Sequence, residues 1–297
     1  MEITPAEFLQ GDTRAYFDLE ALGIKHDHVF RHVRCRHCSF VFVNPRLPDG
    51  AYSTVYGEAK RDKDSGEEWT LREDGPGALY NTYHKWYAAQ RLLRALSHLR
   101  GRFPRPKSQD GQRLRLLDYG SGNGHLLALC KVFGIDAVGV EIDPRRLSVC
   151  RSQGLRVELP DEVPPEPLFD AVVSTSVIEH VDDVRGYFRY AAERLRAGGI
   201  FSLNGLTPEI IRRERRSGDY RYVMPLEHLN FFTRKSFGSL ARQMGFEFLR
   251  WPTVVHIEAG WRGATKGIVK SLLFRGFYPS GDFEADLVRV PTDEPCR

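Results

Sequence analysis

The segment 114–127, LRLLDYGSGNGHLL, limits what this chain can fold into more than any other stretch. Leu114, Leu116 and Leu117 form an apolar run that ends in Asp118. Glycines at 120, 122 and 124 then alternate with single residues, and a second apolar run, from Leu126 to Leu129, has the length of a helix rather than a strand. The pattern is strand, tight turn, helix. Alternating glycines admit positive φ and let the backbone approach a ligand closely, while a helix beginning near Asn123 offers unpaired N–H groups to it. The turn suits a nucleotide-like molecule.

The spacing discriminates further. Dinucleotide sites use G-x-G-x-x-G and aim a helix N-terminus at a pyrophosphate. Here G-x-G-x-G follows an acid, Asp118, which repels a pyrophosphate and suits a ligand carrying an ammonium group. VGVEI at 138–142 is a second strand with Glu141 at its end, 17 residues beyond Gly124, where a carboxylate accepts hydrogen bonds from ribose hydroxyls. Asp143 and Pro144 read as the N-cap and first residue of a helix. FDAVVST at 169–175 is a further strand, SVIEHVDD follows it, and LRAGGIFSL at 195–203 supplies a helix stop and another strand.

In this order, the glycine turn, the FDAVV strand, the E-H-V piece and L-x-x-G-G resemble the motifs of the class I S-adenosylmethionine (SAM) dependent methyltransferases. The resemblance covers about three quarters of the chain and implies a Rossmann-like α/β fold, a seven-stranded sheet closed by a terminal antiparallel hairpin, with SAM as cofactor. It further implies that Gly120, Ser121, Gly122 and Gly124 pass under the cofactor, that Asp118 helps, often through water, to hold its amino acid moiety, and that Glu141 and Ile142 meet its ribose side. Asp161 or Glu162, after a short strand at 155–159, takes the adenine amine, and Ser176 borders the crevice.

On the acceptor side, His180 and His228 are the candidate bases, because an imidazole takes a proton most readily near neutral pH. His228 lies in PLEHLNFFT, which resembles a substrate-side motif of the same family. A cofactor-contacting or structural role for the Glu179–His180 pair, and a cation held by Glu179, Asp182 and Asp183, stand as alternatives. Leu79, Tyr83, Trp86, Ala89, Leu93 and Leu96 recur at helical steps and mark an amphipathic helix ahead of the glycine turn. Tyr80, Tyr83, His84 and Arg91 on it are candidates for the cofactor or substrate, against the alternative of simple core. Glu179 and Tyr220 complete the expected substrate contacts. Arg212, Arg213, Arg215, Arg216 and Arg221 read as a solvated loop after the fifth strand, or as an attraction for an anionic substrate. Thr233 reads as an N-cap and Gly245 as a helix end. Strands at 246–251 and 283–290, with helical GIVKSLLFRGF between them, should close the sheet.

Residues 1–50 precede the resemblance, 51–77 read as a linker or mobile loop, and 78–297 as the methyltransferase domain. Cys35 and Cys38 form a C-x-x-C knuckle between two β-rich stretches, similar to an N-terminal zinc-binding module found ahead of some of these enzymes, with Asn44, Pro45 and Arg46 as its N-P-R turn. Two thiols leave a tetrahedral zinc site incomplete. His26 and His28, or His32 and His37, would have to fill it, so a degenerate hairpin that keeps two thiols is the expectation. The five cysteines make no disulfide framework, and no apolar run is long enough to span a membrane. With a polar start to the chain, this reads as cytoplasmic. A formal charge of +4 does not call for nucleic acid. The expected partner is a small-molecule acceptor, methylated on oxygen: a sugar, a quinol or a secondary metabolite. Carbon, nitrogen or RNA nucleoside methylation, or SAM binding without turnover, are the alternatives, and the oligomeric state is left open.

Overall fold

The computed structural model describes residues 2–8, 19–20, 22–25, 27–47, 77–100, 114–218, 220–249 and 276–290. In chain order the elements are β1 (Glu2–Ile3), α1 (Pro5–Phe8), β2 (Phe30–Arg34), β3 (Val41–Asn44), α2 (Gly77–Arg100), β4 (Arg115–Tyr119), α3 (His125–Val132), β5 (Asp136–Val140), α4 (Pro144–Ser152) and β6 (Val157–Glu158). There follow β7 (Phe169–Ser174), α5 (Val184–Arg194), β8 (Leu195–Leu206), α6 (Glu209–Ser217), a 3₁₀ turn (Arg221–Val223), β9 (Asn230–Phe231), α7 (Arg234–Gln243), β10 (Phe246–Phe248) and β11 (Asp282–Arg289). The linker at 51–76, the loop at 102–111 and most of GIVKSLLFRGF lie outside the described residues.

Seven strands form one sheet in the order β10-β11-β8-β7-β4-β5-β6. The strands from β4 to β8 pair in parallel, and β11 runs antiparallel to both β8 and β10. Alternation along the strands separates two apolar layers. Leu116, Ala171, Val173 and Ile200 face α2 and α3, whereas Leu117, Val172 and Phe201 face α5 and α7, where Phe188, Phe237, Phe246 and Phe283 gather. Order reverses at β4, whose neighbours β5 and β7 lie on opposite sides. That switch point is where open α/β sheets form a ligand crevice.

The helix ends follow local chemistry. Asp143 accepts from the Arg145 N–H with Pro144 at the first helical position, and Thr233 with Ser236 forms a reciprocal cap on α7. Two expectations need correction. The arginine-rich stretch after β8 is the helix α6 rather than a loop: Ile210 and Glu214 give it a buried side, Arg212 pairs with Glu209 at 2.8 Å, and Gly218 ends it at φ 73°. In α2 the buried face is Ala88, Leu92, Ala95 and Leu99, one position off the expected stripe, and Leu93 is 52% exposed. Apolar residues come in adjacent pairs here, so apolarity alone leaves the rotation of the helix undecided.

Charge decides it. Arg91 lies on the buried face and meets Glu284 at 2.9 Å. Arg94 pairs with Glu284 and, at 2.6 Å, with Asp286, which also takes His98 at 3.0 Å and the Ser202 hydroxyl at 2.6 Å. The helix before the first sheet strand is thereby fastened to the last. Burial works to raise the Asp286 carboxyl, yet Arg94, His98 and Ser202 hold it down to about 2. Its stabilising contribution is therefore present above the ordinary carboxylate range and lost as pH falls through about 2. Asp286→Ala leaves Arg94 buried beside an empty position and should cost about 3–5 kcal/mol in urea unfolding at neutral pH; a loss below 1 kcal/mol would show that the network contributes little.

A second sheet, β1-β2-β3-β9, is antiparallel. Cys35 and Cys38 stand at the β2–β3 turn, as the C-x-x-C spacing implies, and Ser39 takes a left-handed φ of 65°. The fourth strand of this sheet, β9, comes from the far end of the chain.

Candidate active site

At the C-terminal edge of β4 and β5 the glycine turn is held by one carboxylate. Glu141, almost wholly buried, accepts the Gly122 N–H at 2.8 Å on one oxygen and those of Ile142 and Asp143 at 2.8 and 2.9 Å on the other. The three glycines differ in purpose. A Cβ at Gly120 would lie 2.3 Å from Val177 Cγ2, and one at Gly124 would lie 2.5 Å from Leu155 Cδ1, so both are required by packing. A Cβ at Gly122 would meet nothing within 4 Å. Gly122 alone faces open space, the form of a cradle for a ligand.

The chemistry around that space fits SAM. Burial lifts Asp118 to about 7, and the nearby Glu141 adds to the lift, so a bound ammonium finds an acid ready to ionise against it. The Ser121 hydroxyl is buried and has no hydrogen-bond partner among the described residues. Ile142, 52% exposed directly after Glu141, offers apolar surface to a flat ring. Asp161 stands exposed on the loop after β6; the carboxylate engaged there is Glu162, which accepts the Leu159 N–H at 2.8 Å. Across the crevice, Ser174 donates to the Tyr119 carbonyl at 2.8 Å. Ser176 holds a left-handed φ of 53°, its N–H bound at 2.9 Å by Asn204 Oδ1. Such backbone conformations persist where surrounding contacts impose them, commonly beside functional sites.

The two candidate histidines are together. The His180 and His228 rings lie 4.7 Å apart, and Tyr222, 46% exposed, stacks on His228 at 6.4 Å. Arg213 of α6 lies 5.7 Å over the Tyr222 ring. His180 Nδ1 is 2.9 Å from the Glu227 carbonyl. A carbonyl only accepts, so Nδ1 carries the proton, and Nε2 of the neutral ring is then an acceptor. Glu179 is buried with one carboxylate oxygen unpartnered among the described residues, and burial raises it to about 8. Tyr220 packs between two apolar clusters instead of facing the histidines. Tyr83 and His84 fall on α2, but their side chains, like that of Tyr80, lie outside the described residues.

Arg46 and His32, expected only in the N-terminal knuckle, and Asn204 and Asn230, which the sequence pattern did not single out, also reach this region. Asn204 and Asn230 are polar residues at the ends of apolar runs, a signal legible in retrospect. His32 of β2 packs edge-on to Phe231 at 5.3 Å. Burial lowers it to about 4, with the charge of His228 among the lesser causes.

Residues 83–250 match the model of a family described as the methyltransferase domain. The chain belongs to this family, as a class I SAM-dependent methyltransferase. A ubiquinone biosynthesis O-methyltransferase of Paramagnetospirillum magneticum is 32% identical over 136 residues, 42% of this chain and 54% of that protein. One from Chelativorans sp. is 26% identical over 171 residues, 52% of this chain and 64% of that protein. The methyltransferase thus spans about half to two thirds of the length of these relatives. A SAM-dependent methyltransferase structure from Mesorhizobium loti matches at 18% identity with a TM-score of 0.44, covering 59% of this chain and 91% of that one. No helix among the described residues is long and apolar enough to cross a membrane. Nor do those residues hold any group of three or more His, Cys, Asp or Glu side chains able to take a metal; His26 lies outside them.

Because the Asp118 carboxyl is raised from 3.8 to about 7, its contribution to stability is full below the unfolded value and is lost as pH rises through about 7. Without cofactor the methyltransferase should melt at a lower temperature at pH 8 than at pH 5.5. Asp118→Asn should narrow that gap in thermal melts while weakening SAM binding. Gly122→Ala, strained at its φ of 54° but free of clash, should cost about 1–2 kcal/mol of stability and lower SAM affinity in calorimetry, whereas Gly120→Ala, strained and clashing with Val177, should destabilise the protein more. Unchanged SAM affinity in a folded Gly122→Ala protein would place the cofactor elsewhere.

Proposed function

We propose that this methyltransferase transfers the methyl group of SAM to an oxygen of a small-molecule acceptor, with His180 as general base. One observation carries the reading: the Nδ1–H of His180 is anchored on the Glu227 carbonyl, which fixes the neutral tautomer in which Nε2 is an acceptor, on the loop that follows β7. A phenolic or alcoholic hydroxyl gives up its proton as its oxygen attacks, and Nε2 is the group to take it. When bound, SAM supplies an electrophilic methyl on a good leaving group, so the remaining demand on the protein is alignment and proton removal.

The cofactor is held by Asp118, Gly120, Ser121, Gly122, Gly124, Glu141 and Ile142, with Ser176 at the border and Asp161 free to swing over the adenine. Glu141 now bonds Gly122, and ribose hydroxyls add to the same carboxylate, since three backbone donors leave it acceptor capacity. His228, tilted against His180 and stacked with Tyr222, shapes the acceptor side and is the second candidate for the base. Tyr222 in place of Tyr220, the buried Glu179, and Tyr83 and His84 from α2 complete the acceptor contacts. The relatives' role, O-methylation in ubiquinone biosynthesis, supports a quinol or catechol ahead of a sugar. The boundaries at 50 and 78 are retained as functional divisions, with the N-terminal hairpin as cover for the acceptor side and without an assigned metal.

With oxygen as acceptor, the pH profile of kcat/KM should rise through a limb in the histidine range. His180→Gln should lower kcat by roughly 10²–10⁴-fold while leaving SAM affinity unchanged in calorimetry. Full activity in His180→Gln, with the loss appearing in His228→Gln, would move the base to His228. Label transferred from SAM only to RNA or protein would refute the small-molecule reading.

A further inference from the structure

The loop that follows β7 carries Glu179 and His180, and an unusual share of its backbone is held from outside. Asn230, fully buried on β9, donates through Nδ2 to the carbonyls of Ile178 at 3.0 Å and Val181 at 2.6 Å. The Leu229 and Asn230 N–H groups both donate to the Glu179 carbonyl, at 2.7 and 3.2 Å. Arg46 donates one Nη to the Asp182 carbonyl and the other, at 2.6 Å, to Asn230 Oδ1. Between 178 and 182 every carbonyl but that of His180 is thus bound by the segment around β9 or by Arg46. The His180 ring is tied to that same segment through Glu227.

Arg46 is the one charged member of this set, and it comes from the N-P-R turn that leaves β3. It lies 136 residues from Asp182 and 184 from Asn230 in sequence. An amide side chain whose two N–H groups serve carbonyls must present its oxygen to a donor, and a guanidinium fork meets that oxygen and a second acceptor at once. Pairing of Val41 with Phe231 and of Phe42 with Asn230 brings the turn to this place. We propose that Arg46 and Asn230 are positioning residues: through them the N-terminal hairpin fixes the 178–182 loop so that the His180 imidazole stands at the angle its proton transfer requires. The proposal rests on the reading of His180 as the base. The hairpin is then part of the catalytic apparatus, whatever becomes of its two thiols.

The test uses the full chain with Arg46→Ala, Arg46→Lys and Arg46→Gln. Histidine-labelled protein is observed by NMR, with the His180 imidazole signals assigned by their loss in His180→Gln. Arg46→Ala should shift or broaden the His180 signals and leave those of His125 in place. With saturating SAM and a catechol or hydroquinone as probe acceptor, kcat should fall roughly tenfold or more. SAM affinity should stay within about twofold, and Arg46→Lys should recover part of the loss. A melting temperature that drops while kcat and the His180 signals stay as in the wild type would overturn the proposal, leaving Arg46 a purely structural residue. If His180→Gln keeps full activity, the base assignment fails. If His180→Gln is inactive and Arg46→Ala is not, the positioning role alone fails. Should Arg46→Ala not fold, the lysine and glutamine variants carry both readouts.

Discussion

Three backbone N–H groups converge on the carboxylate of Glu141, and the geometry of the crevice depends on that convergence. The donors at Ile142 and Asp143 turn the chain sharply at the end of β5, while the donor at Gly122 draws the glycine turn across from β4. One charged acceptor therefore couples two strands at the C-terminal edge of the sheet, with hydrogen bonds stronger than neutral ones. The arrangement also sets Asp118 near a second acid in a buried place, which is why its carboxyl rises to about 7. A cationic ligand reverses that penalty by favouring the ionised form. Asp118 is thus costly when ionised without ligand and favourable with a cationic one, as expected of a group placed for binding rather than for stability.

Stability comes from elsewhere. The aromatic cluster of Phe188, Phe237, Phe246 and Phe283 fills one face of the sheet, and the Arg91–Arg94–His98 set on α2 engages Glu284 and Asp286 on β11. The sheet is closed by an antiparallel strand whose alternate residues are apolar towards the phenylalanines and acidic towards α2. Phe283, Ala285 and Leu287 point one way and Glu284 and Asp286 the other, so one short strand serves two unlike interfaces. Buried ion pairs of this kind are weak sources of net stability, but removing one partner is costly. Their effect here is to specify which face of α2 turns inward, a choice its paired apolar residues leave open.

What was legible in the sequence was local. The strand-turn-helix at 114–132, the Asp143–Pro144 helix start, the Thr233 cap and the acid ending β5 all declare themselves within a few residues, because φ preferences, capping and alternation act over that distance. The seven-stranded order followed from resemblance joined to those signals. What escaped were features set by partners far along the chain. The α6 segment carries so many arginines that its short apolar side, Ile210 and Ile211, is outweighed. The inward face of α2 is selected by acids about 190 residues away. Asn230 and Arg46 looked like loop residues because nothing near them in sequence reveals the carbonyls they serve. Gly120, Gly122 and Gly124 looked equivalent, and only neighbours in space distinguish the two that pack from the one that faces open space.

The same contrast bears on how the N-terminal hairpin is held. In this chain β3 has another partner: it pairs with β9, and Phe30, Val43, Met224, Leu226 and Leu229 form an apolar cluster joining the hairpin to the segment that carries His228. Burial against the rest of the chain stabilises the hairpin, while the knuckle keeps its shape through Ser39 N–H to Cys35 C=O at 2.9 Å and Cys35 N–H to Phe40 C=O at 2.8 Å. Once the hairpin depends on β9 for its stability, β9 and the loop it grips depend on the hairpin in turn. A contact set that keeps the N-terminal strands folded then also sets the position of the imidazole at the crevice.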